Sequence, residues 1–155
     1  RRNHHMQPKL HFTCPVRWED MRVGIIGRHC FQCDKEVVDF TSGTKADLVR
    51  YLLDNAIRYS PAGGQVDVSV ERQDGIESRA VLVVADGGPG IPLHERERVF
   101  ERFHRVPGTA YPGSGIGLAL VRSIAAHHHA HIRLDEGPGA RGLKVSVEFP
   151  ALGPP

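Results

Sequence analysis

A chain of 155 residues, 40% hydrophobic and 25% charged, is long and apolar enough to bury the core of one domain. Its 20 Lys and Arg against 18 Asp and Glu leave a net charge of +2, which removes the electrostatic case for nucleic acid or an anionic membrane as main partner. Cys14, Cys30 and Cys33 are too few, and odd in number, for a secreted disulfide framework, and no stretch has membrane-spanning length or a signal peptide's apolar region. The expectation is a soluble, cytoplasmic domain with no membrane contact of its own.

Residues 1–43 are irregular and hold all three cysteines and the only tryptophan, Trp18. Cys30-x-x-Cys33, with Cys14 and either His11 or His29, has the composition of a Cys₃His zinc site, although the second half of a two-knuckle pattern is missing. This segment resembles, weakly, a cysteine module of bacterial proteins of unknown role. A plainer alternative is that residues 23–26 and 36–40 supply the first strands of the sheet that follows.

From Thr44 onward the chain is periodic. Thr44-Lys45-Ala46-Asp47 reads as a capping box and predicts a helix over 44–59, with Leu48, Val49, Leu52, Leu53, Ala56 and Ile57 as its apolar stripe. Pro61 and Gly63-Gly64 end it. Residues 66–70 alternate as a half-buried strand, and 80–85 run apolar as a central strand covered on both faces. Pro92 opens a predicted helix running to about Phe103. A loop over 106–113 leads to a helix over 116–128, and strands at 131–134 and 143–149 close the domain before a tail at 151–155. This order predicts an α/β domain, helices on one face of a largely antiparallel sheet.

Four features carry chemistry. On the first helix Tyr51, Asn55 and Arg58 share a flank beside the stripe, where an amide oxygen suits Mg²⁺ and a guanidinium suits phosphate. For these three alone, a solvated flank is the plainer account. Asp86-Gly87-Gly88-Pro89-Gly90-Ile91 places a carboxylate at the end of the buried strand, where it either accepts from a ligand amino group or merely closes an Asx turn. Val99-Phe100-Glu101-Arg102-Phe103 sets two aromatics at helical spacing, the usual mark of core anchors. Gly113-Ser114-Gly115-Ile116-Gly117-Leu118 opens a helix, and free amides there suit an anion. It is neither a Walker A loop nor the dinucleotide fingerprint.

Taken together, these segments closely resemble the four boxes of the ATP-binding catalytic domain of bacterial sensor histidine kinases. Leu52-Leu53-Asp54-Asn55-Ala56-Ile57-Arg58-Tyr59-Ser60-Pro61 matches the N box, Asp86 to Ile91 the G1 box, Phe100-Glu101-Arg102-Phe103 the F box, and the run from Gly113 to Val121 the G2 box. The resemblance covers roughly residues 45–150. It implies the Bergerat fold of gyrase, MutL and Hsp90-type ATPases, a two-layer α/β sandwich with a mixed, mostly antiparallel sheet. It also implies ATP and Mg²⁺ as cofactors, with Asn55 on the metal, Arg58 and Tyr59 by the phosphates and base, and Asp86 on the adenine amino group. Gly88, Gly90 and Ile91 would shape that wall, Gly113, Gly115, Gly117 and Leu118 the phosphate floor, and 101–112 a lid. Asn55 and Arg58 carry the catalytic role.

Departures from the family pattern matter too. Tyr51 stands where the hydrolytic relatives carry a glutamate base, which favours phosphotransfer over hydrolysis. His129 stands where a glycine usually follows the G2 helix, in a left-handed position that strains any side chain. No H box, with its phosphoacceptor histidine, occurs in these 155 residues. The resemblance therefore implies partners: a separate phosphoacceptor domain that also dimerises, and a response regulator. It further implies a membrane-anchored parent protein. The alternatives are a nucleotide-binding module without kinase output, or a metal-binding interaction protein acting through Cys14, Cys30 and Cys33.

Overall fold

The computed structural model describes residues 15–23, 28–38, 43–73 and 78–150. They belong to two compact units, residues 1–42 and 43–155. In the first, β1 (Arg22–Val23), β2 (Arg28–Cys30) and β3 (Lys35–Val37) pair antiparallel in that order. Met21, Cys30 and Val37 are its buried core, with Val16 and Cys33 packed against them. Arg28 donates from Nη1 to the carbonyls of Glu19 (3.2 Å) and Met21 (3.3 Å), tying the preceding turn to β2.

Two expectations change here. Residues 22–23 and 35–37 pair with β2, in a sheet separate from that of the second unit, because only four residues separate each from β2 in the chain; residues 24–26 and 39–40 lie outside the described residues. Cys30 is fully buried, as a small apolar side chain would be, and neither it nor Cys33 is in a disulfide. Cys14 lies outside the described residues, among which no group of three or more His, Cys, Asp or Glu side chains is placed to hold a metal. The zinc reading gains no support.

The second unit opens with α1 (Lys45–Tyr59), whose capping box forms as its sequence requires. The Thr44 hydroxyl oxygen accepts from the Asp47 amide (3.1 Å), and the Thr44 amide donates back to Asp47 Oδ2 (2.9 Å). The Thr44 amide first, and then the Thr44 hydroxyl, which donates to the same Oδ2 (2.7 Å), hold the Asp47 carboxyl below its ordinary value. A carboxyl lowered by folding stabilises fully above its unfolded pKa, and that stability is lost as pH falls through the folded value. Asp47→Asn should therefore cost about 0.5–1 kcal/mol at neutral pH. In urea unfolding, the gap from the unsubstituted chain should close only below the usual carboxylate range. A gap independent of pH would dismiss the Asp47 charge as its source.

The buried face of α1 is Leu48, Tyr51, Leu52 and Ala56, whereas Ile57 is 66% exposed. The apolar face is thus rotated toward Tyr51 relative to the expected stripe. Four strands form the sheet: β4 (Val66–Gln73), β5 (Arg79–Asp86), β6 (His131–Glu136) and β7 (Leu143–Pro150). Their order is β4-β5-β7-β6, and among the described residues every pairing is antiparallel. β5 is central, with Val81, Leu82, Val84, Ala85 and Asp86 all buried, as its unbroken apolar run implies. β4 is an edge strand, and Val68 and Val70 are exposed where a half-buried strand was expected.

α1 packs on β5, and α2 (Gly117–His127) packs on β6 and along α1. α2 ends in a Schellman motif: the His129 amide donates to Ala126 O and the Ala130 amide to Ala125 O, with His129 at φ 54°. The left-handed residue is there, occupied by histidine. Between β5 and α2 the expected helix from Pro92 to Phe103 is instead two 3-10 turns, Leu93–Glu95 and Arg98–Phe100. Only Phe100 of the two aromatics is a core anchor. Phe103 turns left-handed (φ 66°) and is 71% exposed.

Candidate functional site

The end of α1, the end of β5 and the start of α2 meet around Asn55, Asp86 and the glycines of both loops. Asp86 is 6% exposed, and its Oδ1 accepts from the amides of Gly88 (2.8 Å) and Leu143 (3.2 Å). The Asx turn expected of this sequence therefore forms, but it uses one oxygen. Among the described residues nothing donates to Oδ2, which leaves a fixed carboxylate oxygen for a ligand donor.

The wall beside Asp86 is built by backbone contact. A Cβ on Gly88 would strike the Tyr59 carbonyl, and one on Gly90 (φ 72°) would stand 2.7 Å from Gly142 O. Ile91 is held by its carbonyl, which accepts from Arg96 Nε (3.3 Å) while Arg96 Nη1 reaches Leu134 O (3.2 Å). Sequence reasoning missed Gly137 and Gly142: a Cβ at either would run into the Asp86 carbonyl. Their signal lay in the turn before the last strand, but the partner is some 50 residues away in sequence. It also missed the Leu143 amide, a donor that every residue type but proline carries.

Asn55 is half-buried on α1, facing Gly117 at the start of α2. A Cβ on Gly117 would lie 2.8 Å from Asn55 Oδ1 and 2.9 Å from Nδ2, so a side chain there would push the Asn55 amide out of its place. Among the described residues, Asn55 Nδ2 is the one buried side-chain nitrogen or oxygen with no hydrogen-bond partner. An orphaned buried donor costs about 1–3 kcal/mol, a cost that a ligand acceptor removes. Ile116 provides no side-chain cap to α2, so the first-turn amides there are uncapped as well. Leu118 lies half-buried in that turn.

Arg58 and Tyr59 complete the cluster. A Cβ on Gly113 would lie 3.4 Å from both Arg58 Nη1 and Tyr59 Oη. Arg58 Nη1 donates to Pro112 O (3.4 Å), and the Tyr59 ring meets Tyr111 edge to face, centroids 5.5 Å apart. Arg105 Nη2 donates to the Tyr111 carbonyl. Gly115 (φ 70°) lies back to back with Phe103 and His104, and its carbonyl accepts from the Phe103 amide (3.0 Å). Of the predicted flank of α1, Asn55 and Arg58 face this cluster. Tyr51 does not: it is 7% exposed, in the core, under the Arg50 guanidinium.

Residues 46–153 match the model of the histidine kinase-, DNA gyrase B- and HSP90-like ATPase family. The chain belongs to that family. Among its relatives, the sensor protein kinase PmrB of Pseudomonas aeruginosa is 44% identical over 108 residues, 69% of this chain and 22% of PmrB. Of solved structures, the mycobacterial sensor histidine kinase MprB superposes with TM-score 0.60 at 38% identity, covering 70% of this chain and 72% of that one. Full-length ShkA in complex with AMPPNP gives TM-score 0.56 at 27% identity, covering 66% and 20%.

Within the family this is an ATP-binding catalytic domain of the two-component sensor kinase branch, and its sheet and helices form the Bergerat α/β sandwich. The chain spans only about a quarter of the length of the curated relatives it matches.

Proposed function

We propose that this domain binds ATP with Mg²⁺ and donates the γ-phosphoryl group to a histidine on a separate dimerisation and phosphoacceptor domain, with a response regulator downstream. The observation that carries the reading is the unpartnered Asn55 amide facing Gly117. The amide offers both functions such a ligand needs: Nδ2–H donates to a phosphate oxygen, and Oδ1 is a hard oxygen ligand for Mg²⁺. One protein oxygen suffices, since Mg²⁺ in nucleotide sites is held largely by phosphates and water. Bound Mg²⁺ supplies charge neutralisation between the phosphates.

The chain's own residues do the rest. Asp86 Oδ2 accepts from the adenine amino group while Gly88 and Gly90 keep the wall thin. Tyr59 lies along the base, and Arg58 with the first-turn amides of α2 receives the phosphates. Phosphoryl transfer then depends on positioning and electrostatic stabilisation more than on covalent help. Four residues before Asn55 the buried Tyr51 leaves no carboxylate to activate water, so transfer to a presented histidine is favoured over hydrolysis. AMPPNP, the ligand named for ShkA, is an ATP analogue and supports the same reading. No helix of the described residues is long and apolar enough to cross a membrane; the anchor of a longer kinase would lie in other segments.

Calorimetric titration with ATP, with and without Mg²⁺, tests this proposal. The unsubstituted chain should bind more tightly with the metal. Asn55→Ala should remove most of that gain, about tenfold in affinity, while metal-free binding changes much less. Equal losses under both conditions would take Asn55 off the metal.

A further inference from the structure

Outside the residues assigned above, one ionised group is buried and fully engaged. Glu95, at the end of the first 3-10 turn, is 4% exposed. Its Oε2 pairs with His104 Nε2 at 2.6 Å and its Oε1 with Arg98 Nη1 at 3.2 Å; His94 Nε2 lies 3.9 Å from Oε1. The side chains of Glu95 and His104 are only 5% and 12% exposed. A carboxylate held this way must have a donor at His104 Nε2, which fixes the histidine tautomer. That hydrogen bond also keeps the Glu95 carboxyl below its ordinary value, outweighing burial, which acts to raise it.

His104 follows Phe103, the non-glycine residue forced left-handed at φ 66°. A bulky side chain in that region is strained and persists only where its surroundings over-determine it. The constraint comes from both sides. The Phe103 amide donates to Gly115 O, and Gly115, itself at φ 70°, is packed so closely that a Cβ would stand 2.7 Å from His104 O and from the Phe103 carbonyl carbon. Glu95 therefore holds His104, His104 holds the Phe103 turn, and that turn is the floor on which Gly115 rests.

We propose that Glu95, acting through His104, is a positioning residue for the phosphate-binding loop 113–117. It fixes where the loop and the first amides of α2 stand before any nucleotide arrives. Glu95 touches no nucleotide on this account, so its effect is confined to the phosphate side of the site. The base side, built on Asp86 and the Gly88–Gly90 wall, is independent of it. The inference rests on the nucleotide-site reading above, and its test separates the two.

Amide hydrogen exchange on the nucleotide-free chain reads the loop directly. Glu95→Gln and His104→Ala should speed exchange at Phe103, whose amide is bonded to Gly115 O, by about tenfold, with Gly88, whose amide is bonded to Asp86 Oδ1, unaffected. His104→Gln, whose Nε2 donor falls near that of the imidazole, should restore most of the protection. ATP affinity should fall about tenfold in Glu95→Gln and His104→Ala, while adenosine affinity, followed by NMR shift titration, stays within about twofold. Unchanged exchange at Phe103, or parallel losses for ATP and adenosine, would overturn the proposal. Should Glu95→Gln fail to fold, the contrast between His104→Ala and His104→Gln decides alone. A chain that binds no ATP at all would sink the proposed function, and the exchange data would still decide whether Glu95 positions the loop.

Discussion

Asp86→Asn is expected to lower ATP affinity by about two orders of magnitude while leaving the fold intact. The two halves of that result come from the two oxygens of one side chain. Oδ1 accepts from the amides of Gly88 and Leu143, and an asparagine retains that oxygen in that place. The turn after β5 and its seam with β7 should therefore survive, and thermal melts of variant and parent should lie close together. Oδ2 becomes an NH₂ group. It then points a donor at the adenine amino group, itself a donor, inside a site closed by glycine backbones. Neither donor finds water or an acceptor, so the desolvation cost of both remains. Calorimetry on the variant reads the loss, and unchanged affinity would remove Asp86 from the base site.

The second large effect is an all-or-none one: this chain alone should incorporate no label from γ-labelled ATP and release little phosphate. Adding a matched phosphoacceptor domain in trans should produce labelling, on the acceptor and slowly, because the encounter is bimolecular. The fold gives the reason the three histidines at the end of α2 cannot serve. His127, His128 and His129 close α2 at the end opposite its phosphate-binding start, about 16 Å along an 11-residue helix. His128 Nε2 is moreover engaged with Gly43 O at 3.0 Å. No in-line approach to a γ-phosphate at Gly117 is open to them. Acid-labile label on this chain by itself would contradict that geometry. Rapid release of phosphate without an acceptor would instead require a base that the buried Tyr51 does not supply.

The candidate site was legible through four motifs in family order, since taken singly Asn55 and Arg58 read as a solvated flank and Asp86 as an Asx turn. Asn55, Arg58, Asp86 and the glycine triplet at 113, 115 and 117 each sit at a helix end, strand end or helix start that periodicity and punctuation mark directly. The capping box at Thr44 and the central strand at 80–85 follow from rules spanning no more than six residues, and the left-handed His129 from the glycine its family usually carries there. Where the expectation failed, the deciding partner was remote. Leu93 to Phe103 has helical spacing, yet Glu95 is drawn to His104 and Phe103 to Gly115, and those contacts break the helix into two turns. Ile57 and Tyr51 exchange burial because α2 and β5 choose the face of α1, not its own stripe.

By itself, then, the order of residues determined on which kind of element each group of the proposed nucleotide site stands. Spacing along one element is enough for that, since backbone geometry sets side-chain direction over a few residues. Tertiary structure alone decided how the groups are held: Gly137 and Gly142 against the Asp86 carbonyl, Gly117 against Asn55, and the Glu95–His104 pair beneath the phosphate loop. Each of these joins segments far apart in the chain. Their contact is specified by close packing and by the need to satisfy buried polar groups, which no local pattern encodes.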